Sequence, residues 1–279
     1  RCLDSRSSSD IAIVNMYGKC GALDDAHNIF NKIVTQSTIS FNALITAYAQ
    51  HEQGEEAFAL YLRLQYEGFN PDHITFISTV DACAGLVELV QVKALHIHLL
   101  ESGIVQDIVL ETALLNLYSK CGDFDGANKI FEGMPVRDVA SWNAVIASYS
   151  QHGHGKEIVK LFKRMEDDGL KPDEITFVNF LSACSRAGMI NEAREYFDSM
   201  SQTYGIVPTV EHYACMADVF GRAGLLIEAE NFLRKMPKHP SPVAWLTLLS
   251  SCKSLGDVER ARYSAGRIFE IDPKHTGAR

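Results

Sequence analysis

With 279 residues, 47% hydrophobic and 22% charged, the chain has an ordinary globular composition, and no apolar run reaches the roughly 18 residues of a membrane-spanning helix. A net charge of −9 weighs against a nucleic-acid partner, and seven cysteines without a CxxC pair argue against a disulfide framework and for a reducing compartment. The chain opens on Arg1 rather than Met, so it reads as a piece of a longer protein.

Displacing the sequence by 101 residues lays TISFNALITAYAQHEQGEEAFALYLRLQYEGFNPD (38–72) on VASWNAVIASYSQHGHGKEIVKLFKRMEDDGLKPD (139–173), with 14 of 35 positions identical. The 101-residue unit divides into 35, 35 and 31, which cuts the chain at 7–37, 38–72, 73–107, 108–138, 139–173, 174–209, 210–241 and 242–275. Within each segment the fifteenth residue is Gly21, Gly122, Gly153, Gly188, Gly224 or Gly256 in six of the eight. The twentieth is Ala26, Ala57, Ala127, Ala193, Ala229 or Ala261. The eleventh is aromatic (Tyr17, Tyr48, Tyr118, Tyr149, Phe220) or is Cys83, Cys184 or Cys252.

Each segment predicts two helices. In 139–173, Ser141 is a candidate cap, and Trp142, Val145, Ile146 and Tyr149 form an apolar face at helical spacing. A glycine turn at 152–155 leads to a second helix carrying Ile158, Leu161, Phe162 and Met165, stopped by Gly169 and Pro172. The recurring alanine allows close helix approach, and the recurring glycine suits a tight turn. Two short helices cannot bury both faces alone but stacked pairs can. The expectation is therefore all-α: a right-handed α-solenoid superhelix of tandem helix-turn-helix repeats with a concave inner surface.

The phrases VASWNAVIASYSQHG, GLKPDEITFVNFLSAC and NLYSKCGDFDGANKIFEGMP resemble pentatricopeptide (PPR) repeats. The 35-35-31 lengths resemble the plant PLS subfamily. The segment PVAWLTLLSSCKSLGDVERARYSAGRIFEIDP resembles the start of its E-type extension. The resemblance implies a PPR array over 1–241 and a truncated E-type extension over 242–279. It also implies single-stranded RNA as partner, chloroplast or mitochondrion as location, and a role in selecting sites for C-to-U RNA editing. A partner or deaminase recruited through 242–279 would supply the chemistry.

In such repeats the fifth and last residues face one unstacked base. The resemblance points to Asn42 with Asp72, Thr112 with Asp138, and Asn143 with Asp173; by family analogy these favour U, G and U. An amide or hydroxyl beside a carboxylate supplies donors and acceptors for a Watson–Crick edge. The remaining pairs, Ile11/Ser37, Ile77/Asp107, Val178/Thr209 and Ala214/Ser241, have no hydrogen-bonding fifth side chain and specify no base. The second residues Ile39, Ile74, Val109 and Ile175 would clamp the base, while Ala140 and Glu211 depart from that pattern. The thirteenth residues Lys19, Lys120, Arg186 and Arg222 would meet phosphates. The acidic runs Asp24-Asp25, Glu55-Glu56 and Glu166-Asp167-Asp168 fall on second helices, away from that surface.

No catalytic constellation is expected. The HxE and PCxxC signatures of zinc deaminases are absent, as are GxGxxG, Walker, GxSxG and HExxH patterns. His152-x-His154 lies in a turn without a Cys or carboxylate partner, and His96 and His98 read as packing residues, so neither a metal nor a cofactor is expected. The main rival reading is a protein-binding solenoid of the tetratricopeptide type, whose W-x2-L-G-x2-Y pattern this chain lacks, and within the RNA-binding reading transcript stabilisation or splicing is the alternative to editing.

Overall fold

The computed structural model describes residues 2–84, 88–236 and 242–273, with backbone alone over 2–8. Among the described residues there are sixteen helices and no strand. They are α1 (Cys2–Lys19), α2 (Leu23–Lys32), α3 (Thr38–Gln50), α4 (Gly54–Tyr66), α5 (His73–Cys83), α6 (Leu89–Ser102), α7 (Ile108–Lys120) and α8 (Phe124–Gly133), then α9 (Val139–Gln151), α10 (Gly155–Asp167), α11 (Glu174–Ala187), α12 (Ile190–Gln202), α13 (Val210–Arg222), α14 (Leu226–Arg234), α15 (Pro242–Leu255) and α16 (Val258–Ile271). Each segment read from the sequence contains one odd-numbered and one even-numbered helix. The first helices of seven segments start on or next to the segment's first residue; α1 alone starts earlier.

The chain forms two compact units, Arg1–Val136 and Arg137–Arg279. In the first, α1 packs on α3, α3 on α5 and α5 on α7. In the second, α9 packs on α11, α11 on α13 and α13 on α15. Each second helix packs on its own first helix and on the first helix of the next repeat in the same unit. The first helices thus form a continuous layer within each unit, as in a helical-repeat solenoid.

The recurring columns are packing positions. Ala26, Ala57, Ala127, Ala193 and Ala229 are each 0% exposed, because a methyl is all that fits where the paired helices approach; Ala261 is half-buried. The fourth residues Phe41, Phe76, Trp142, Phe177 and Trp245 are buried, and Phe41 meets Phe30 edge-on at 4.9 Å between ring centroids. Cys83, Cys184 and Cys252 are buried in the aromatic column, and burial pushes the Cys83 and Cys184 thiols up to about 12. They behave as small hydrophobes.

All six turn glycines have φ between 69° and 80°. Glu52 takes the same column in 38–72 at φ 59°, without glycine's freedom there. The sequence places Ser141 as a cap of α9; the structure assigns that role to Asp138. The Asp138 carboxylate accepts the Ser141 N–H at 2.8 Å while the Ser141 hydroxyl accepts the Asp138 N–H at 3.0 Å, so the helix starts earlier, at Val139.

Candidate nucleic-acid interface

Among the described residues the last residue of a repeat is the N-cap of the next first helix; Ser241, the last of 210–241, lies outside them. Asp72, Asp107, Asp138 and Asp173 each accept, through the side chain, the N–H three residues on, at 2.8–2.9 Å. An aspartate here satisfies one of the four orphan N–H groups of the helix and complements its dipole. Capping also pins the Asp72 and Asp173 carboxylates beside the fifth residue of the preceding first helix.

Two of the three expected pairs are thereby joined. Asn42 Nδ2 donates to Asp72 Oδ1 at 2.9 Å, and Asn143 Nδ2 donates to Asp173 Oδ1 at 3.0 Å. Asn42 and Asn143 are 6% and 8% exposed, whereas both aspartates are half-buried. Burial pushes the Asp72 and Asp173 carboxyls up, but the backbone N–H, the asparagine amide and a threonine hydroxyl outweigh it and hold both below the usual carboxylate value. Both are therefore anionic at neutral pH. Thr112 lies half-buried on α7 in the first unit, and Asp138 belongs to the second.

Sequence reasoning missed the third member of each cluster. Thr75 Oγ1 donates to Asn42 Oδ1 at 2.6 Å, and Thr176 Oγ1 donates to Asn143 Oδ1 at 2.6 Å. Both threonines are 0% exposed. Their signal was a Thr three residues after the capping aspartate, which on sequence alone reads as a capping box and nothing more.

Where the fifth residue is apolar the arrangement differs. Asp107, in register with Ile77, pairs with His73 Nε2 at 3.1 Å. After Val178, the α13 cap uses Thr209 and His212, with His212 Nε2 at 2.9 Å from the Glu174 carbonyl oxygen.

The expected clamp residues are hydrophobic yet solvent-facing: Ile39 is 65% exposed, Ile74 59%, Val109 56% and Ile175 59%. Val243, at the second position of 242–275, is 59% exposed in the same register, a match the sequence reading did not draw. Exposed β-branched residues recurring at one helical position make apolar ledges on the first-helix layer of each unit.

The four expected phosphate cations are exposed in the last turns of their helices, where the helix dipole also favours them. Arg222 is already bonded to Asp218 at 2.8 Å, and Asp218 in turn accepts from Ser185 at 2.5 Å. Arg186 reaches the Ser150 carbonyl at 3.4 Å. The runs at 24–25, 55–56 and 166–168 are exposed on or beside α2, α4 and α10.

The histidines with other possible uses are engaged locally. His152 Nδ1 lies 2.8 Å from the Ser148 carbonyl, His96 Nδ1 lies 3.0 Å from the Tyr118 hydroxyl, and His98 Nδ1 lies 3.3 Å from that of Tyr61. Among the described residues no group of three His, Cys, Asp or Glu could hold a metal, and no helix is long and apolar enough to cross a membrane.

The PPR repeat family model matches residues 36–85 and 137–186, and the PPR repeat model matches 12–36, 112–139, 175–202 and 211–240. The chain belongs to the PPR family. The putative pentatricopeptide repeat-containing protein At3g23330 of Arabidopsis thaliana is 40% identical over 276 residues, which are 99% of this PPR chain and 39% of that protein. The chloroplastic pentatricopeptide repeat-containing protein CRR2 of the same plant is 36% identical, over 95% of this chain and 41% of its own length. This PPR chain thus spans about two-fifths of these relatives. The fold is similar to that of PPR10 in complex with an 18-nt psaJ RNA element, with a TM-score of 0.84 and 21% identity over 95% of this chain and 40% of PPR10.

Proposed function

We propose that the first-helix layer of this PPR chain binds extended single-stranded RNA, one base per repeat, as the recognition segment of a longer organellar protein. The observation that carries the reading is the Asn–Asp hydrogen bond made twice, Asn42 to Asp72 between the exposed Ile39 and Ile74, and Asn143 to Asp173 beside the exposed Ile175. The solved PPR10–RNA complex of similar fold supports an RNA partner, and the chloroplastic name of CRR2 supports an organelle, chloroplast or mitochondrion.

In this reading Asn42 with Asp72, Thr112 with Asp138 and Asn143 with Asp173 read bases. Ile39, Ile74, Val109 and Ile175 clamp them, and Lys19, Lys120, Arg186 and Arg222 meet phosphates. A carboxylate accepts and an amide N–H donates, which suits uracil, whose N3–H is a donor beside the O4 acceptor; cytosine presents the reverse. Repeats running parallel to the strand give 5′-N-U-N-G-U-N-N. Three specified bases are too few to select one site among many competitors, so repeats elsewhere in the longer protein complete the address. The family resemblance, the PLS-like lengths and the E-type-like 242–279 segment make that address one for C-to-U editing, with the chemistry supplied by a partner or deaminase and not by this segment.

The test is equilibrium binding of 5′-N-U-N-G-U-N-N RNA against an RNA with the U and G positions exchanged. A good base contact is worth about 1–3 kcal/mol, so the exchange should weaken binding at least about fivefold per position. Equal affinities reject the base assignment. No RNA affinity, with saturable binding of a protein instead, replaces the reading by that of a protein scaffold.

A further inference from the structure

Thr75 and Thr176 occupy equivalent places, and their hydroxyls do more than cap. Each accepts the N–H of the capping aspartate, Asp72 to Thr75 at 3.0 Å and Asp173 to Thr176 at 3.1 Å. Each also points its single proton at the asparagine carbonyl at 2.6 Å, closer than the 2.9 Å to the aspartate carboxylate. The amide is held at both ends, its nitrogen on a carboxylate that can only accept and its oxygen on a hydroxyl that donates. One N–H and one carbonyl lone pair remain for a base.

The same helix position carries other residues wherever the fifth residue of the preceding repeat is not asparagine. It is Ser40 after Ile11, Leu110 after Ile77, Ser141 after Thr112, His212 after Val178 and Ala244 after Ala214. The Ser40 and Ser141 hydroxyls turn back to the carbonyls of their own caps, Ser37 at 2.8 Å and Asp138 at 2.9 Å. The threonine-to-amide bond therefore accompanies the reading asparagine and not the helix start as such.

We infer that Thr75 and Thr176 are specificity-determining positioning residues: each sets which edge of its asparagine faces the RNA, and so enforces uracil over cytosine at one position. This rests on the RNA reading above. Without the hydroxyl the buried amide oxygen has lost its donor, and the side chain swings to find another. A freely rotating amide can offer either a donor or an acceptor, so it tells uracil from cytosine poorly.

The experiment uses the 279-residue chain, its Thr75→Val, Thr75→Ser and Thr176→Val variants, and three RNAs: the predicted site, and the same site with C at the first or at the second U. In the unsubstituted chain both replacements should weaken binding. In Thr75→Val the preference for U over C should drop about tenfold at the first position and persist at the second, with the reverse in Thr176→Val. Thr75→Ser should keep the preference. Retained discrimination at the unaltered position reports that the other unit is intact, and an unchanged melting temperature reports that the substituted unit stays folded; a melting temperature lowered together with the loss at the substituted position overturns the inference in favour of a structural cap. Discrimination retained at both positions in both valine variants overturns the inference and leaves the RNA reading standing. Loss at both positions together, with a lowered melting temperature, overturns it in favour of a purely structural cap. Absence of any U preference in the unsubstituted chain overturns the base assignment and this inference with it.

Discussion

Asn143 donates to Asp173 across 3.0 Å although the two are thirty positions apart in the chain, with all of α10 between them. The same bond joins Asn42 to Asp72 at 2.9 Å. In each case the carboxylate also caps a helix, so one side chain closes the repeat, starts the next and presents charge at the layer's surface. Capping and reading can be separated, because a hydroxyl caps almost as well as a carboxylate.

Asp173→Ser should therefore keep α11 capped, lowering stability by no more than about 1 kcal/mol. It should abolish the U preference at the second U, since the carboxylate is gone and the Asn143 amide loses its partner. Asp173→Ala should lose both, with a further drop of about 1 kcal/mol. Thermal or denaturant unfolding beside RNA competition measures the two effects. A serine variant that still prefers U would remove the carboxylate from the reading role.

Glu52 sits at φ 59° in the turn column that six other repeats fill with glycine. An L-residue in the left-handed region costs roughly 1–2 kcal/mol, offset in part by the larger unfolded-state entropy of glycine. Glu52→Gly should stabilise the first unit by about 0.5–1 kcal/mol, read as a higher denaturant midpoint. A lower midpoint would mean that the Glu52 side chain contributes more than its backbone strain costs.

Four phosphate contacts on a single strand give a slope of log affinity against log salt of about −3. Lys120→Ala should reduce its magnitude by about 0.7. Arg222→Ala should reduce it less, because its guanidinium is already bonded to Asp218. Titrations at several salt concentrations decide this, and a slope unchanged by all four substitutions would take these residues out of the interface.

His212 is buried in the α13 cap, its Nδ1 at 3.0 Å from the Thr209 N–H and 2.8 Å from the Thr209 hydroxyl, and its Nε2 at 2.9 Å from the Glu174 carbonyl. Burial holds its pKa below 6.5, against the partial opposition of Glu174 and Glu211. Because the unfolded chain then binds the proton first, this group's stability is complete above 6.5 and is lost as pH falls below it. Burial depresses His27 and His96 in the same way, so all three act in one direction. Melting temperature should fall between pH 7.5 and 5.5, and His212→Gln should flatten that dependence. An equally steep fall in the variant would assign the effect elsewhere.

Much of the layer was legible from the repeat columns. A residue that returns at a fixed interval on a short helix must meet the same surroundings each time, so Ala26 and Ala127 could be read as contact points and Gly21 and Gly122 as turns. The pairing of Asn42 with Asp72 followed from the repeat resemblance. Thr75 and Thr176 were not legible, because Thr three residues after Asp has a sufficient local explanation as a capping box. The Arg222–Asp218 bond is legible in the sequence, since residues four apart share one helix face.

The sequence alone determined the helix pairs, their boundaries to within a few residues and the membership of each packing column, since apolar periodicity, caps and turn residues act over one or two turns of chain. Only the tertiary structure decided which polar side chains meet. Asn42, Asp72 and Thr75 touch because α3 packs on α5 at a particular register, and that register follows from the joint packing of side chains such as Phe41 and Phe76 in the core rather than from any local preference.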